Sequence, residues 1–338
     1  MPYRLIVSFL ALACCLSAAT STAQTSTLNE PILVRATVPI EAGLRVSIDG
    51  RSELVDVGEW RLRPMLNLQS HSNVAVSDFE TLILDGESHQ VGVAFDWVFR
   101  PKWQFDATVL HTSHTNGSLD GAIDNWHDFF GLDEGDRPVL PRDGFEFSYA
   151  NAQTATGSTI DQPLNGLQDI ELGLTRQLFI EEKSSLAVRA VAQLPLNNAE
   201  KLLGSERVDF GLQVLYGRSW NGVGLHLNAG VTSIGDESRF GIKTEEWIAQ
   251  TSAGFHWRPN SLGGNWRFSA QLDGRTRQFE SELVELNDPA WTLALAAEYQ
   301  LGSGSSPRLQ VYFVEDVSVN RAADFAAGIN FTFDFTSD

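Results

Sequence analysis

The feature that most constrains the fold is the stretch of residues 90–110, in which apolar and polar residues alternate. Apolar residues occupy odd positions from 91 to 99, Pro101-Lys102 follows, and the alternation resumes from 103 to 109. A period of two residues predicts two antiparallel strands, each with one apolar and one polar face. Similar runs recur as far as Phe335, including one pair joined by Asn221-Gly222, a dipeptide that predicts a tight hairpin.

Large aromatic residues collect at the strand ends beside the short turns. A soluble sandwich gives no reason for this placement, whereas a barrel in lipid carries aromatic belts at its interfaces. The residues concerned are Trp97, Phe99, Trp103, Trp220, Phe255, Trp257, Trp266, Phe268, Tyr299, Phe333 and Phe335. The pattern therefore predicts strands with lipid on one face and water or polar side chains on the other.

The N-terminus has the composition of a secretory signal peptide. Arg4 precedes an apolar run over residues 5–18, and Ser21-Thr22-Ala23 supplies small residues for cleavage. We predict that residues 1–23 are removed, and both cysteines, Cys14 and Cys15, lie within them. The remaining chain would then contain no disulfide.

The chain is strongly acidic, with a formal net charge of −19. Removal of residues 1–23 takes away Arg4 and no acidic residue, which makes the charge −20. Binding to nucleic acid through bulk charge is not expected of such a chain. After the signal peptide no run of 18 apolar residues occurs, so we expect no membrane-spanning helix.

Turn lengths predict the topology. Barrels of the outer membrane have short periplasmic turns and longer external loops. The short turns here include 101–102 and 221–222, and the longer connections are 72–80, 195–206, 232–244, 276–288 and 315–323. We predict an all-β, transmembrane antiparallel β-barrel of twelve strands over residues 60–338, with both ends of the barrel chain in the periplasm. Residues 114–166 form one long extracellular loop in this scheme, and residues 24–59 are either periplasmic or lumenal.

The long loop contains a predicted amphipathic helix. Leu119, Ile123, Trp126 and Phe130 are spaced for one helical face, and Gly131 ends the pattern. Such a helix either folds inward and narrows the lumen or lies at the lipid surface.

Several segments carry a family resemblance: LDGAIDNWHDFFGL, then GDRP and PRDGFEFSY, the later GLQDIELGL, and the earlier LILDGESHQVG. Together they resemble an uncharacterised family of bacterial outer-membrane β-barrel proteins, known only as a domain of unknown function. The resemblance implies a barrel in the bacterial outer membrane and assigns no catalytic or ligand-binding residue.

Two sets of polar residues are candidates for chemistry at the external rim. His71, His111, His114 and His127 would lie there, but no pair has the tight helical spacing typical of metal ligands, so we assign no metal site. His111 and Ser113 lie two residues apart on one strand face, as a base and a serine nucleophile would. This is similar to the His-x-Ser-Asn-Gly motif of outer-membrane phospholipases, although Asn116 does not directly follow the serine. The alternative is a polar strand end without chemistry.

The polar face of the strands predicts the lining of the lumen. The charged positions assigned to it are Arg61, Arg63, Asp96, Asp106, Glu171, Arg189, Glu246, Arg267, Asp273, Arg275 and Glu298. Such residues either bind a polar solute or pair across the lumen and fill it.

The function favoured by these patterns is a passive channel or transporter for small polar solutes that weakly prefers cations, because the external loops are acidic. A lipid hydrolase using His111 and Ser113, and a non-conducting structural or adhesion barrel, remain as alternatives. The sequence favours a protein that is not an enzyme and indicates no cofactor. Expected partners are outer-membrane lipid and lipopolysaccharide, the barrel-assembly machinery and a small polar solute, but no nucleic acid.

Overall fold

The computed structural model describes the chain from residue 28 to residue 335 with a few short gaps, which fall at 36–37, 45, 55, 132–135, 197–198, 303–306, 319–322 and 324. The side chains of Trp126, His127 and Phe130 are also outside the described part. The predicted signal peptide, residues 1–23, and its two cysteines therefore lie outside the described residues.

The described chain is almost entirely strand. Its strands are β1 (Trp60–Val76), β2 (Glu80–Arg100), β3 (Trp103–Thr115), β4 (Glu146–Asn151), β5 (Thr156–Ile160), β6 (Leu164–Leu167), β7 (Ile170–Glu181), β8 (Ser184–Leu194), β9 (Asp209–Trp220), β10 (Val223–Ser233), β11 (Ser238–Arg239), β12 (Ile242–Thr244), β13 (Trp247–Trp257), β14 (Trp266–Arg275), β15 (Phe279–Glu280), β16 (Ala290–Gln300), β17 (Arg308–Asp316) and β18 (Phe325–Phe335). Two α-helices, α1 (Asp120–Phe130) and α2 (Val284–Asn287), lie in loops. None of the helices in the described residues is long and apolar enough to cross a membrane.

Twelve of these strands form a closed antiparallel barrel, which confirms the predicted fold and strand number. The barrel strands, in order around the wall, are β1, β2, β3, β7, β8, β9, β10, β13, β14, β16, β17 and β18. Strand β18 pairs with β1 along its length and closes the sheet. Closure leaves no open edge of the kind that lipid could not satisfy.

The two ends of the barrel differ in their connections. At one end, called the short-turn end, β2, β7 and β9 pass to the next strand through the pairs 101–102, 182–183 and 221–222. Asn221 and Gly222 have φ angles of 46° and 80°, as the predicted tight hairpin requires. Longer connections lie at the opposite end, called the long-loop end, where β11, β12 and β15 form a small separate sheet.

One connection at the long-loop end differs from the prediction. Residues 72–80 were expected to form a loop, but β1 continues to Val76 and β2 begins at Glu80. Apolar and polar residues do not alternate in this part of the sequence because protein covers both faces of the wall. On the lumenal face the His71 ring contacts Phe147, and on the outer face Arg137 donates to the Ser70 hydroxyl over 2.7 Å.

The long loop after β3 prolongs the wall. Strand β4 pairs with β2 beyond the end of β3, β5 pairs with β4, and β6 pairs with the last residues of β3. The short apolar alternation of Phe145, Phe147 and Tyr149 lies in this loop, with Phe147 and Tyr149 in β4 and Phe145 directly before it. Helix α1 precedes these strands, and among its residues Ile123 is buried.

The described residues between 28 and 54 lie inside the barrel. Their ascending limb, residues 28–35, begins near the short-turn end, where Asn29 lies against Gly217 of β9. The tip, residues 38–44, reaches the long-loop end, and the descending limb, residues 46–54, returns to the start of β1. A methyl group at Gly224 of β10 would overlap the Leu28 carbonyl oxygen, so this wall position must be glycine for the segment to pass so closely. Below, this lumenal stretch is called the N-terminal segment.

Candidate functional site: the lumen

The barrel has polar residues inside and apolar residues outside. In β9, Phe210 and Leu212 on the outer face are 61% and 59% exposed, whereas Gln213, the next residue, faces inward and is 1% exposed. In a soluble protein this distribution would be reversed, because apolar burial is the main source of stability. The interior is therefore the face that carries the chemistry.

The structure places most of the predicted charged lining on the lumenal side of the wall. Ten of the residues lie in barrel strands and face inward, namely Arg61, Arg63, Asp96, Asp106, Glu171, Arg189, Arg267, Asp273, Arg275 and Glu298. Glu246 instead precedes β13 at the long-loop end and is exposed. Its position has the inward parity, but the strand begins one residue later, so no wall surrounds it.

A buried ionic network fills the lumen near the short-turn end. Arg61 binds the Glu30 carboxylate of the N-terminal segment and also Asp334 of β18, the latter over 2.5 Å. Arg308 lies 3.0 Å from the same Asp334 carboxylate. Buried charges are tolerated when each is paired and hydrogen-bonded. This network joins the start of the N-terminal segment to β1 and β18, the first and last strands of the barrel.

Two further ion pairs lie at this end of the lumen: Arg63 with Asp96 over 3.0 Å and Arg267 with Glu298 over 2.9 Å. All four side chains come from the wall and pair across neighbouring strands. They leave little net charge free at this level of the lumen.

A second network lies halfway along the lumen. Arg189 of β8 binds Asp106 over 2.5 Å and Glu171 over 3.0 Å. Glu171 also accepts hydrogen bonds from the backbone amide and hydroxyl of Ser47. Within the N-terminal segment, Arg35 pairs with Asp49 over 3.2 Å and links the two limbs.

An apolar cluster covers the lumen at the long-loop end. The tip of the N-terminal segment contributes Val38, Ile40 and Leu44, which pack against wall and loop residues. The other buried members are Ala75, Leu82, Leu84, Phe147, Tyr149, Leu202, Ile234, Ile242, Ile248, Phe279, Leu283 and Leu286. We call this set the apolar cap. Arg275 of the wall also binds Glu41 of the tip.

The space that remains inside is small. A cavity of about 130 Å³ lies between the N-terminal segment and the wall, lined by Arg35, Asp49, Glu171 and Asp273 among others. That volume holds a few water molecules. In this conformation the described residues of the N-terminal segment therefore occupy most of the lumen.

The N-terminal segment narrows the lumen, whereas the sequence left open that the helix of residues 114–166 folds inward and narrows it. The region around α1 contacts the outer face of the wall instead. Arg137 binds Ser70 and Asp120, and Asp136 accepts a hydrogen bond from the Val74 amide over 2.9 Å. A later part of the long loop does reach inward: Phe147 and Tyr149 of β4 join the apolar cap, and Phe145 and Ile160 pack against it.

Of the proposed helical face, Ile123 is 2% exposed and Leu119 is half-buried. The side chains of Trp126 and Phe130 lie outside the described part, so their packing stays a prediction.

The predicted rim histidines separate into different environments. His71 and His114 are buried in the lumen, and each ring lies 2.8 Å from the Ser88 hydroxyl. A second buried pair, His226 and His256, is joined by a 2.8 Å hydrogen bond at the other end of the lumen. The described residues contain no group of three or more His, Cys, Asp or Glu placed to hold a metal ion.

The candidate hydrolase pair lies on the outer face of β3. His111 and Ser113 point outward as expected, but neither side chain makes a hydrogen bond within the described chain. Ser113 lies opposite His89 of β2 and Asn165 of β6. The His89 ring, however, binds Glu87 over 2.9 Å. The geometry therefore gives the hydrolase alternative no support.

In the loops at the long-loop end, beyond the ends of the barrel strands, Arg239 of β11 lies among several carboxylates. Burial lowers the pKa of its guanidinium to about 10, while Asp236 and Asp169 oppose that effect. One of its nitrogen atoms donates to the Gly204 carbonyl. This arginine holds the loops over β7, β9 and β10 together.

Sequence reasoning missed the uncharged members of the lining. Eight glutamine and asparagine side chains of the wall donate hydrogen bonds to backbone carbonyls of the N-terminal segment: Gln69, Gln177, Gln193, Gln213, Asn228, Gln250, Gln271 and Asn330. All have the inward parity of their strands, which was visible in the sequence. Their partners were not, because residues 28–54 show no clear periodicity.

Comparison with known structures shows where this fold occurs. It is similar to an outer-membrane channel from Pseudomonas putida F1, with a TM-score of 0.56 and 12% sequence identity over 85% of this chain and 98% of that one. The NanC porin overlaps less well, with a TM-score of 0.45 and 7% identity over 82% of this chain and 100% of that one. At such identities the likeness concerns the fold alone.

Comparison of the sequence with known proteins identifies one family. No curated protein matches the chain. A family model does match, over residues 13–335, and its description is "Protein of unknown function (DUF3187)". This match covers the second half of the predicted signal peptide, the N-terminal segment and all twelve barrel strands, and it agrees with the resemblance noted in the loop motifs. The chain belongs to the DUF3187 family.

Proposed function

We propose that this protein is a passive channel of the bacterial outer membrane for small polar solutes. The observation that carries the proposal is the inverted polarity of a closed twelve-stranded barrel, with charged and amide side chains inside. An apolar outer surface suits lipid, and a polar interior suits water and dissolved solutes. The N-terminal segment fills this interior, so conduction requires that the segment shift from its place.

The proposed orientation places the short-turn end in the periplasm and the long-loop end outside the cell. Residues 114–166 are then extracellular, and the lipid-facing wall contacts outer-membrane lipid and lipopolysaccharide. The terminal strand, with alternating aromatics that end at Phe335, suits recognition by the barrel-assembly machinery. Protease added to whole cells should cut within residues 114–166 first. Protection of that stretch, with cleavage at the short turns, would reverse the orientation.

A weak preference for cations is part of the proposal. The long-loop end carries acidic residues such as Glu237, Glu282 and Glu285, which raise the local concentration of cations. The preference should be read as a reversal potential across a salt gradient, and it should shrink at high salt because of screening. A reversal potential of the opposite sign would remove the cation preference without affecting the channel.

Bilayer conductance of the full chain tests the channel itself. We expect brief openings in the wild-type protein, because the N-terminal segment must leave its place, and longer openings when the apolar cap is weakened by Ile40→Ala. The filled lumen also fits a non-conducting structural barrel. Absence of current from both proteins, each shown to be folded by heat-modifiable mobility, would establish that second function over the channel.

A further inference from the structure

The wall recognises the backbone of the N-terminal segment. Eight wall amides donate to nine backbone carbonyls, those of residues 32, 33, 35, 43, 46, 47, 48, 50 and 52. A backbone carbonyl is present at every residue of any polypeptide. Contacts of this kind therefore do not depend on which side chains the bound segment carries.

The spacing of these contacts is that of an extended peptide. Asn228 of β10 donates from one amide nitrogen to the carbonyls of Ile48 and Gly50, both over 2.9 Å. Carbonyls two residues apart point the same way in an extended chain, as in a strand. Gln271 of β14 accepts from the Ile32 amide over 2.8 Å and donates to the Ile32 carbonyl over 3.4 Å. It therefore pairs with both polar groups of a single peptide residue.

The segment depends on the wall for these bonds. It contains one short 3-10 turn, Pro39–Glu41, and its described residues belong to no strand. Buried backbone carbonyls need partners, and here the side chains of the wall supply them. If the segment left the lumen, the same side-chain amides, in the same arrangement, would be available to another polypeptide that entered.

We propose that the lumen is a binding site for extended polypeptide, that residues 28–54 occupy it in cis, and that a peptide supplied in trans competes for it. The proposal rests on the channel function and deepens it, because it assigns peptides as the class of polar solute. Sugar hydroxyls also donate and accept hydrogen bonds, so a sugar is the competing class of ligand that the experiment must separate from a peptide.

Displacement of the segment can be followed with one cysteine. Val34→Cys places a thiol in the ascending limb, where the residue is half-buried and its backbone makes no bond to the wall. The chain without its signal peptide has no other cysteine. A bulky polyethylene-glycol maleimide should react slowly with the folded barrel of residues 24–338 in detergent, and faster when the N-terminal segment leaves the lumen.

Three probes are compared at equal concentration: a peptide of residues 28–54, a scrambled peptide of identical composition, and a maltooligosaccharide. We expect both peptides to accelerate labelling several-fold and the sugar to leave it unchanged. Acceleration by the native peptide only would mean that side chains are recognised and would overturn the proposal. Acceleration by neither peptide, or equally by the sugar, would overturn it as well.

Wall variants give a matched check. Asn228→Leu removes two donors and should raise labelling without peptide on the order of tenfold, because both bonded carbonyls lose their partners. Gln90→Leu removes an inward amide whose bond in the described chain is to Asn67 of the wall, and it should leave labelling unchanged. Equal labelling in both variants would contradict backbone recognition, and Gln271→Leu repeats the comparison if Asn228→Leu does not fold. Labelling requires no ion flow, so peptide competition in a barrel without current would contradict the channel and leave peptide binding in place.

Discussion

The substitution Ile40→Ala weakens the contact that keeps the lumen filled. Ile40 lies at the tip of the N-terminal segment and is fully buried in the apolar cap, next to residues from the wall and from four loops. Truncating a buried isoleucine to alanine costs about 2–5 kcal/mol, because transfer energy is lost and a cavity remains. Since each 1.4 kcal/mol is about tenfold in an equilibrium constant, the ratio of displaced to seated segment should rise by about 30-fold or more.

Single-channel recording in planar bilayers measures that ratio as open probability. The barrel wall should be unaffected, because its stability comes from closed pairing between strands, so heat-modifiable mobility should match the wild type. A suitable control is Ile329→Ala, which makes the same change on the outer face of β18, where the side chain is 38% exposed. Equal open probability in Ile40→Ala and wild type, with both proteins folded, would refute the role of the apolar cap.

Three further predictions concern other parts of the molecule. Arg61→Leu removes the nearest partner of buried Glu30 and one of the two arginines that pair with Asp334, and it should cost roughly 3–5 kcal/mol, seen as a lower denaturation midpoint, whereas Arg218→Leu at an exposed position should change it little. Ile123→Ala should speed proteolysis of the loop after β3 while conductance stays at the wild-type level, because α1 adjoins the outer face of the wall; a changed conductance would mean that α1 acts on the lumen. Neither the wild-type protein nor Ser113→Ala should hydrolyse phospholipid vesicles. Hydrolysis by the wild type that is lost in Ser113→Ala would support the lipid hydrolase instead.

The wall could be predicted from the sequence because its signal is local. Alternation over residues 90–110 gave β2 and β3, and the Asn221-Gly222 pair gave the hairpin of β9 and β10. The number of strands followed from the order of short and long turns. Each of these patterns depends on neighbours within about ten residues, which a single sequence displays.

The upper wall was harder to predict for a physical reason. Toward the long-loop end, both faces of β1 and β2 are covered by protein, so polar residues such as His71 and Ser72 are buried there and the alternation of apolar and polar residues disappears. The same residues therefore resemble a loop in the sequence.

The N-terminal segment could not be placed from the sequence because its partners are distant. Ile32 bonds to Gln271 and Leu33 to Asn330, more than 200 residues away, and these contacts leave no periodic trace. The charged lining was recognised as able to fill the barrel or bind a solute, and the structure shows that part of it binds the chain itself. Arg61 with Glu30 is the plainest case.

The central claim is that the N-terminal segment closes the lumen, and a disulfide lock tests it most directly. A Cβ at Gly211 of β9 would lie 3.5 Å from the Cβ of Val46, within the range that disulfides span. The double variant Val46→Cys/Gly211→Cys therefore fixes the descending limb to the wall when oxidised and frees it when reduced. The account predicts that single channels of this variant stay closed under oxidising conditions and open after reduction, with the two single variants insensitive to redox conditions. Equal conductance of the oxidised and reduced double variant, with the disulfide shown to be formed, would contradict it.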